Sequence, residues 1–171
     1  MKKMISFIVV LLMFASVEGI AQDKKPLSPK ETVNGTIDGT TVEIVYCSPS
    51  ARGRKMLGDK EPYGKVWRTG ANAATTIKFD KAVTIEGKAL EAGTYALFTI
   101  PDENEWVIIF NKKTDQWGAY DYDKHKDQDA LRVTVKTGKT TSFVETFTIS
   151  VGKDQISLQW ENTAVAFKVK G

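Results

Sequence analysis

A short segment near the middle of the chain places a tryptophan, an arginine and an asparagine between two glycines. It reads GKVWRTGAN, and the side chains able to do chemistry are Trp67, Arg68, Thr69 and Asn72. Arginine presents a rigid fork of donors that matches carboxylate and phosphate groups, and tryptophan offers a flat face to a sugar ring or a base. Glycines on both sides permit the backbone to turn, so that neighbouring side chains can reach one ligand. The segment therefore predicts part of a site for a polar or anionic ligand.

A long connection before this segment, residues 48–65, carries further basic and aromatic side chains. It shows no apolar alternation, and irregular connections of this length in compact domains often have a function. If this first connection folds back over the scaffold, its side chains converge with the glycine-bounded segment on one cleft. The predicted ligand-binding residues are Arg52, Arg54, Tyr63, Trp67, Arg68 and Asn72.

An alternative interpretation gives Arg68 a structural role. In that case its guanidinium pairs with an acid such as Glu91 or Glu161 and fixes the segment to the scaffold. A buried ion pair gains little net stability against the cost of desolvation, so such a pair is more easily understood where it positions something. The sequence leaves both roles open.

Three classes of function compete for the predicted cleft. The first choice is an exported module that binds a small polar or anionic ligand, including a glycan, and needs only concavity and unpaired donors. The second is a hydrolase or lyase, which needs an acid or base with a perturbed pKa near Arg68. The third is an envelope structural or protein-interaction module without a small ligand, which predicts an exposed apolar patch. The sequence assigns no catalytic residue, and we expect binding rather than catalysis.

A second long connection, residues 114–130, is rich in aromatic and charged side chains. Trp117, Tyr120 and Tyr122 accompany four aspartates within nine residues. Calcium takes six to eight oxygen ligands, so these carboxylates could supply several. The spacing lacks the central glycine and the terminal glutamate of an EF-hand, and a solvated acidic loop is the alternative. The four aspartates are Asp121, Asp123, Asp127 and Asp129.

The chain has one histidine, His125, and one cysteine, Cys47. A conventional zinc site needs more ligands of these types, and no G-x-S-x-G turn presents a serine to the histidine. We therefore expect no metal site and no cofactor. His125 is expected to be a solvated loop residue, and Cys47 a small buried apolar residue on a strand.

Short runs with a period of two surround both connections and predict the scaffold that positions them. No helix of ordinary length is visible, and the Asp38-Gly39 pair has the composition of a type I′ hairpin turn. We predict an all-β fold, an antiparallel β-sandwich or jelly-roll-like barrel of about nine or ten strands with two long loops. Trp160 is expected in its core. The predicted strands are residues 41–47, 75–79, 82–85, 93–100, 106–111, 131–136, 143–151, 156–160 and 164–170.

The amino-terminal residues 1–21 have the order of a signal peptide: two lysines, an apolar run, and small residues at positions 19 and 21. They predict a periplasmic or secreted protein with no membrane span after their removal. Residues 22–30 are polar and predict a flexible arm, and residues 31–171 suit a single domain. The formal net charge of +3 comes with no basic stripe, which excludes a typical nucleic-acid-binding domain.

The segment PYGKVWRTGANAATT, residues 62–76, matches an approximate signature, P-Y-G-x-x-W-R-T-G-A-N-x-A-T. In this the chain resembles a bacterial family of secreted proteins classed as a domain of unknown function. The likeness extends to residues 48–58, 91–101, 105–112, 117–122 and 158–169. The chain reads YCSP at residues 46–49, where the family often has Y-S-R-P, so no ligand role carries over for that arginine. The resemblance implies a secreted β-rich domain with the same two loops and supplies no mechanism.

Overall fold

The computed structural model describes residues 26–171, and the predicted signal peptide, residues 1–21, lies outside the described residues. The described chain forms one nine-stranded antiparallel sheet with a single short helix, which confirms the predicted all-β class. No helix in this part of the chain is long and apolar enough to cross a membrane. The elements are β1 Lys30–Ile37, β2 Thr40–Cys47, β3 Thr75–Phe79, β4 Val83–Ile85, β5 Lys88–Leu90, β6 Gly93–Ile100, β7 Glu105–Asn111, α1 Tyr122–His125, β8 Asp129–Val151 and β9 Gln155–Lys170.

The hairpin predicted at Asp38 and Gly39 joins β1 to β2. Both residues have positive φ, 47° and 76°, and the flanking pair Ile37 and Thr40 closes a two-residue loop. This is the type I′ geometry, whose twist matches that of the flanking strands. The turn makes β1 an edge strand beside β2, although β1 itself shows little apolar alternation.

Strands β8 and β9 are longer than the sequence pattern predicts. β8 contains both predicted strands 131–136 and 143–151, because residues 137–142 continue the strand instead of turning. The pairing of β8 with β9 shifts register on both sides of Val144. Such bulges absorb extra residues in a strand and increase its local bend. The polar run TGKTTS therefore marks an irregular strand and not a turn.

The sheet order is β1-β2-β3-β6-β7-β8-β9-β4-β5, and its two halves enclose one core. Tyr46 on β2 and Phe147 on β8 are far apart in that order, yet their ring centroids lie 5.8 Å apart. Phe110 on β7 and Phe167 on β9 are also separated by 5.8 Å. These contacts place the inner faces against each other, as in a sandwich. Trp160 is 1% exposed within this core, as predicted.

A smaller apolar cluster lies on the outer face of the sheet, the face turned away from the main core. Ala96, Phe98 and Ile109 project there from β6 and β7 and are covered by Ala74 and Tyr122. The ring centroids of Phe98 and Tyr122 are 5.0 Å apart. Because Tyr122 belongs to the second connection, that connection is packed onto the outer face of the sheet.

Candidate functional site

Trp67, the most prominent residue of the predicted site, belongs to the core. Its side chain is 2% exposed and stacks on Trp160 with a centroid separation of 5.5 Å and an interplanar angle of 15°. Phe147 and Trp106 pack edge-on against it at 4.9 and 6.1 Å. The indole Nε1 donates to the carbonyl of Gly70 at 3.0 Å. Protein atoms cover both faces of this ring, so it has no face to offer a ligand.

Arg68, the next residue, is half-buried beside Glu61. Its Nε is buried and has no hydrogen-bond partner among the described residues. Burial raises the pKa of the Glu61 carboxyl above its ordinary value, and the positive charge of Arg68 offsets part of that rise. An acid with a perturbed pKa near Arg68 is the feature that the enzyme interpretation requires, but neither residue lines the groove described below.

The predicted ion pair of Arg68 with Glu91 or Glu161 is not formed in the described part of the chain. The carboxylate of Glu161 instead accepts the backbone N–H groups of Met56 and Leu57 at 2.9 and 2.8 Å. Glu161 thereby ties the first connection to β9. It performs the structural role that the sequence offered to Arg68.

The other two arginines of the predicted site are exposed and bind backbone carbonyls. Arg52 donates from Nη2 to Leu27 at 2.6 Å. Arg54 donates from Nε to Ala51 at 2.9 Å and from Nη2 to Ser50 at 3.0 Å. Both guanidinium groups thus stabilise the local chain path, and neither lines the groove described below.

Tyr63 is half-buried against the main core and covers Gly58. A Cβ atom at Gly58 would lie 2.7 Å from Cε2 of the tyrosine ring. Burial raises the pKa of the Tyr63 phenol. The negative charges of Glu103, Glu161 and Asp102 raise this pKa further. These carboxylates make the surroundings of Tyr63 unfavourable for an anionic ligand. The six predicted residues therefore do not form one cleft.

Asn72, the last residue of the predicted set, reaches the surface through a sharply turned backbone. Thr69 and Asn72 both have positive φ, 55° and 61°, which is uncommon for residues other than glycine. Two buried hydrogen bonds hold the backbone in this conformation at Thr69. The Thr69 hydroxyl donates to the Thr99 hydroxyl at 3.1 Å, and the Thr69 carbonyl accepts from the Thr75 hydroxyl at 2.7 Å. At Gly70 the chain passes so close to β2 that a Cβ would lie 2.9 Å from the carbonyl oxygen of residue 47.

Beyond this turn, residues 72–74 pair with residues 116–118 of the second connection, and we call these two segments the bridged loops. Ala73 and Trp117 form an antiparallel bridge. Gly118 donates its N–H to the carbonyl of Asn72, and Ala74 donates to that of Gln116, each at 3.0 Å. The bridge fixes the backbone of Trp117 while its side chain remains 67% exposed.

A groove of about 420 Å³ lies between the bridged loops and the outer face of the sheet. Its floor consists of outward-facing residues from three adjacent strands: Lys30 from β1, Val45 and Cys47 from β2, and Thr76 from β3. Its wall includes Asn72, Ala73, Thr114 and Trp117. This volume is in the range of natural small-molecule sites.

Most polar side chains of the groove have no partner among residues 26–171. Asn72, Thr76, Thr114 and Lys30 make no side-chain hydrogen bond to another residue in the described range. Among the groove-lining residues in that range, Lys30 is the one with a charged side chain. Within residues 26–171, the groove therefore combines an exposed aromatic side chain, neutral hydrogen-bonding groups without a partner and one cation.

The base of the second connection is held by a buried polar network centred on Asn111. The Asn111 amide nitrogen donates to the carbonyl of His125 and to Oδ1 of Asp129, both at 2.8 Å, and its oxygen accepts from Lys113 N at 2.9 Å. Tyr122 donates to Oδ2 of Asp129 at 2.6 Å. Burial and this hydrogen bond raise the pKa of the Tyr122 phenol far above its ordinary value. The network anchors the loop that carries Trp117.

The acidic side chains of this loop are not gathered around one point. Asp121 pairs with Lys124 at 2.6 Å, and Asp123 pairs with Lys126 at 3.8 Å, while Asp129 belongs to the network just described. Within residues 26–171, no group of three or more histidine, cysteine or acidic side chains is placed to hold a metal ion.

Most of the groove was not predicted from the sequence. The aromatic residues of the second connection were noted, but only calcium binding and nucleophilic chemistry were considered for that loop. Cys47 was predicted to be buried, whereas the structure places it half-buried on the groove floor. One sequence signal could have located the groove. Val45 and Cys47 are apolar residues that alternate with the core-facing residues of β2 and therefore point outward.

A comparison with family models matches residues 28–169 to the family described as protein of unknown function, DUF2911. The match spans more than half of the chain, and the chain belongs to this family. The comparisons with curated proteins and with solved structures found no match. Family membership thus agrees with the predicted resemblance to a domain of unknown function and brings no activity with it.

Proposed function

We propose that this DUF2911 protein binds a small polar ligand in the groove between the bridged loops and the outer face of the sheet. The observation that carries the proposal is the Trp117 side chain, 67% exposed at the groove while its backbone is fixed by the bridge to Ala73. Trp117 is a large apolar side chain whose exposed surface a ligand can bury, and its fixed backbone limits the entropy lost on binding.

The free polar groups of the groove support the same proposal. Asn72, Thr76 and Thr114 present amide and hydroxyl groups that can both donate and accept hydrogen bonds. They lie beside apolar surface from Val45 and Ala73. Small-ligand sites typically combine such apolar surface with a few orienting polar groups. The proposal retains Asn72 from the predicted set and replaces Trp67 by Trp117 as the aromatic face.

A matched pair of variants tests the proposal. A panel of sugars, amino acids, dicarboxylates and phosphates is screened by ligand-detected NMR, and hits are titrated by calorimetry. Trp117→Ala should weaken binding by about tenfold or more, about 1.4 kcal/mol. The control is Tyr120→Ala, since Tyr120 is 79% exposed on the same loop but does not line the groove. Binding that survives Trp117→Ala, or a panel without any hit, contradicts the proposal.

We also propose that the protein is exported to the periplasm or secreted. The support is the order of basic, apolar and small residues in the first 21 positions. Intact-mass analysis of the protein expressed in its host should give an amino terminus at or near Gln22 in an extracytoplasmic fraction. A cytoplasmic protein that retains Met1 would contradict export.

A further inference from the structure

We infer that the ligand of the groove is an acidic sugar, a pyranose ring that carries a carboxylate. The inference rests on the proposed function, and it adds the chemical class of the ligand. Three properties of the groove's described residues support it: an aromatic side chain, neutral polar groups without a partner and the one cation, Lys30.

The aromatic face selects a flat ligand with exposed C–H groups. Trp117 and Ala73 line the wall of the groove, and Val45 contributes apolar floor. A sugar ring has one face rich in C–H groups that can stack on an indole while its hydroxyls point sideways. An extended acyl chain would need a continuous apolar channel, whereas the groove offers one exposed indole and polar surroundings.

The neutral polar groups distinguish a sugar from an aromatic acid. Asn72, Thr76 and Thr114 offer several donors and acceptors that have no partner within the described residues. A planar aromatic acid would cover these groups without bonding them, and each polar group buried without a partner costs free energy. A ring with several hydroxyls can satisfy them at once.

The charge of the groove selects an anion. Lys30 lies directly across from Cys47 in the register of β1 and β2 and faces the groove. No acidic side chain appears among the described groove-lining residues. Glu43, on the same outer face, and Asp80 line a separate cavity with Lys78. The one cation among the described groove-lining residues therefore suits a carboxylate on the ligand.

The test compares trigalacturonic acid with its trimethyl ester, which has the same three rings and hydroxyls but no charged carboxylate. Calorimetric titration at low salt should give three- to fivefold tighter binding of the acid, at most about 1 kcal/mol, because Lys30 is exposed. Higher salt should narrow this difference, since exposed charges are screened.

Two lysine variants locate the charge effect. Lys30→Gln should reduce the affinity for the acid to that for the ester and leave the ester unchanged. Lys78→Gln is the matched control, because Lys78 is exposed on the outward face of β3, opposite Glu43 on β2, and lies outside the groove. Lys78→Gln should leave both affinities unchanged. An equal effect of the two substitutions would overturn the assignment of the carboxylate to Lys30.

The remaining outcomes separate this inference from the proposed function. If acid and ester bind equally and Trp117→Ala weakens both, the groove binds sugars and the acidic class is wrong. If neither trisaccharide binds while indole-3-acetate or another panel member binds in a Trp117-dependent manner, the groove is a ligand site but its ligand is not an acidic sugar. If no compound depends on Trp117, both the inference and the proposed function are wrong.

Discussion

Two tryptophans, one just after the first long connection and one within the second, lie in opposite environments. Trp67 follows the first connection and is 2% exposed among three aromatic rings, whereas Trp117 on the second connection is 67% exposed. Both are held by short strand-like bridges, Trp67 to Thr99 and Trp117 to Ala73. The two differ because the first bridge directs Trp67 into the main core, whereas the second leaves Trp117 at the groove on the outer face of the sheet. A conspicuous motif can therefore serve the fold, while a less conspicuous loop presents the groups that remain free.

The same contrast holds for the charged groups near each tryptophan. The arginines of the first connection bind backbone carbonyls, and Glu161 accepts two backbone N–H groups from that connection. At the groove, by contrast, Lys30 and the neutral polar side chains have no partner in the described part of the chain. Interactions already satisfied within the fold contribute stability, and unsatisfied groups at a concave surface are available to a ligand.

The largest expected effect is on stability at Trp67. Trp67→Ala should lower the free energy of unfolding by about 3–5 kcal/mol, because it leaves a cavity beside Trp160 and Phe147. Trp117→Ala should change it by less than about 0.5 kcal/mol, as expected for an exposed side chain. Urea unfolding measures both. If Trp67→Ala does not fold, Trp67→Phe gives a milder loss, and equal losses at Trp67 and Trp117 would remove the contrast.

The next effect concerns the close approach of the turned segment to β2. Gly70→Ala should cost about 1–3 kcal/mol, because the added Cβ would lie 2.9 Å from a backbone oxygen that cannot move freely. Gly64→Ala is the control, since no atom lies within 4 Å of a Cβ at Gly64, although its φ of 72° adds some strain. A smaller loss at Gly70 than at Gly64 in the same unfolding experiment would show that the chain path at residue 70 is loose.

A smaller effect is expected where the second connection is anchored. Tyr122→Phe removes the hydrogen bond to Asp129 and should cost about 1 kcal/mol of stability. Because the anchored loop carries Trp117, hydrogen exchange at the amides of residues 116–118 should become faster than in the parent protein. If hydrogen exchange at these amides is unchanged, the network around Asn111 does not hold Trp117 in position.

The smallest expected effect is a pH dependence at Glu61. The folded-state pKa of this carboxyl lies above its ordinary value of 4.5, so its contribution to stability is present below that value and is lost as pH rises through the folded-state pKa. Glu61→Gln removes this titration and should gain stability relative to the parent protein when pH rises from about 4 to about 7. Denaturant unfolding at both pH values measures the gain, and a relative loss would place Glu61 in a favourable ionised pair with Arg68.

Much of the fold could be predicted from local sequence. Asp38 and Gly39 specify a turn by their tolerance of positive φ, and strands β3 and β6 follow from alternation with the bounds observed. The long strands β8 and β9 could not be delimited, because a bulge and a turn use the same polar and small residues. The edge strand β1 was missed as a strand because most of its side chains are exposed.

The candidate site could be predicted only in part. The sequence placed Trp67 and Arg68 next to each other, and in a strand-like segment neighbours point to opposite sides. The bridge from Trp67 to Thr99 makes the segment strand-like there and sends the tryptophan into the core. The groove arises from the bridge between Ala73 and Trp117, which are far apart in sequence. No local pattern encodes that pairing, so only Asn72 of the predicted residues lines the groove.

Ligand binding in the groove is measured most directly at Cys47, the only cysteine in the chain, which lies half-buried on the groove floor. The rate of its alkylation by iodoacetamide is measured by mass spectrometry with and without a saturating concentration of trigalacturonic acid or of another compound that binds. If the compound binds in the groove, it should slow alkylation of Cys47, and Trp117→Ala should abolish this protection. An alkylation rate that is unchanged at saturation would place the bound compound elsewhere and rule out binding in the groove.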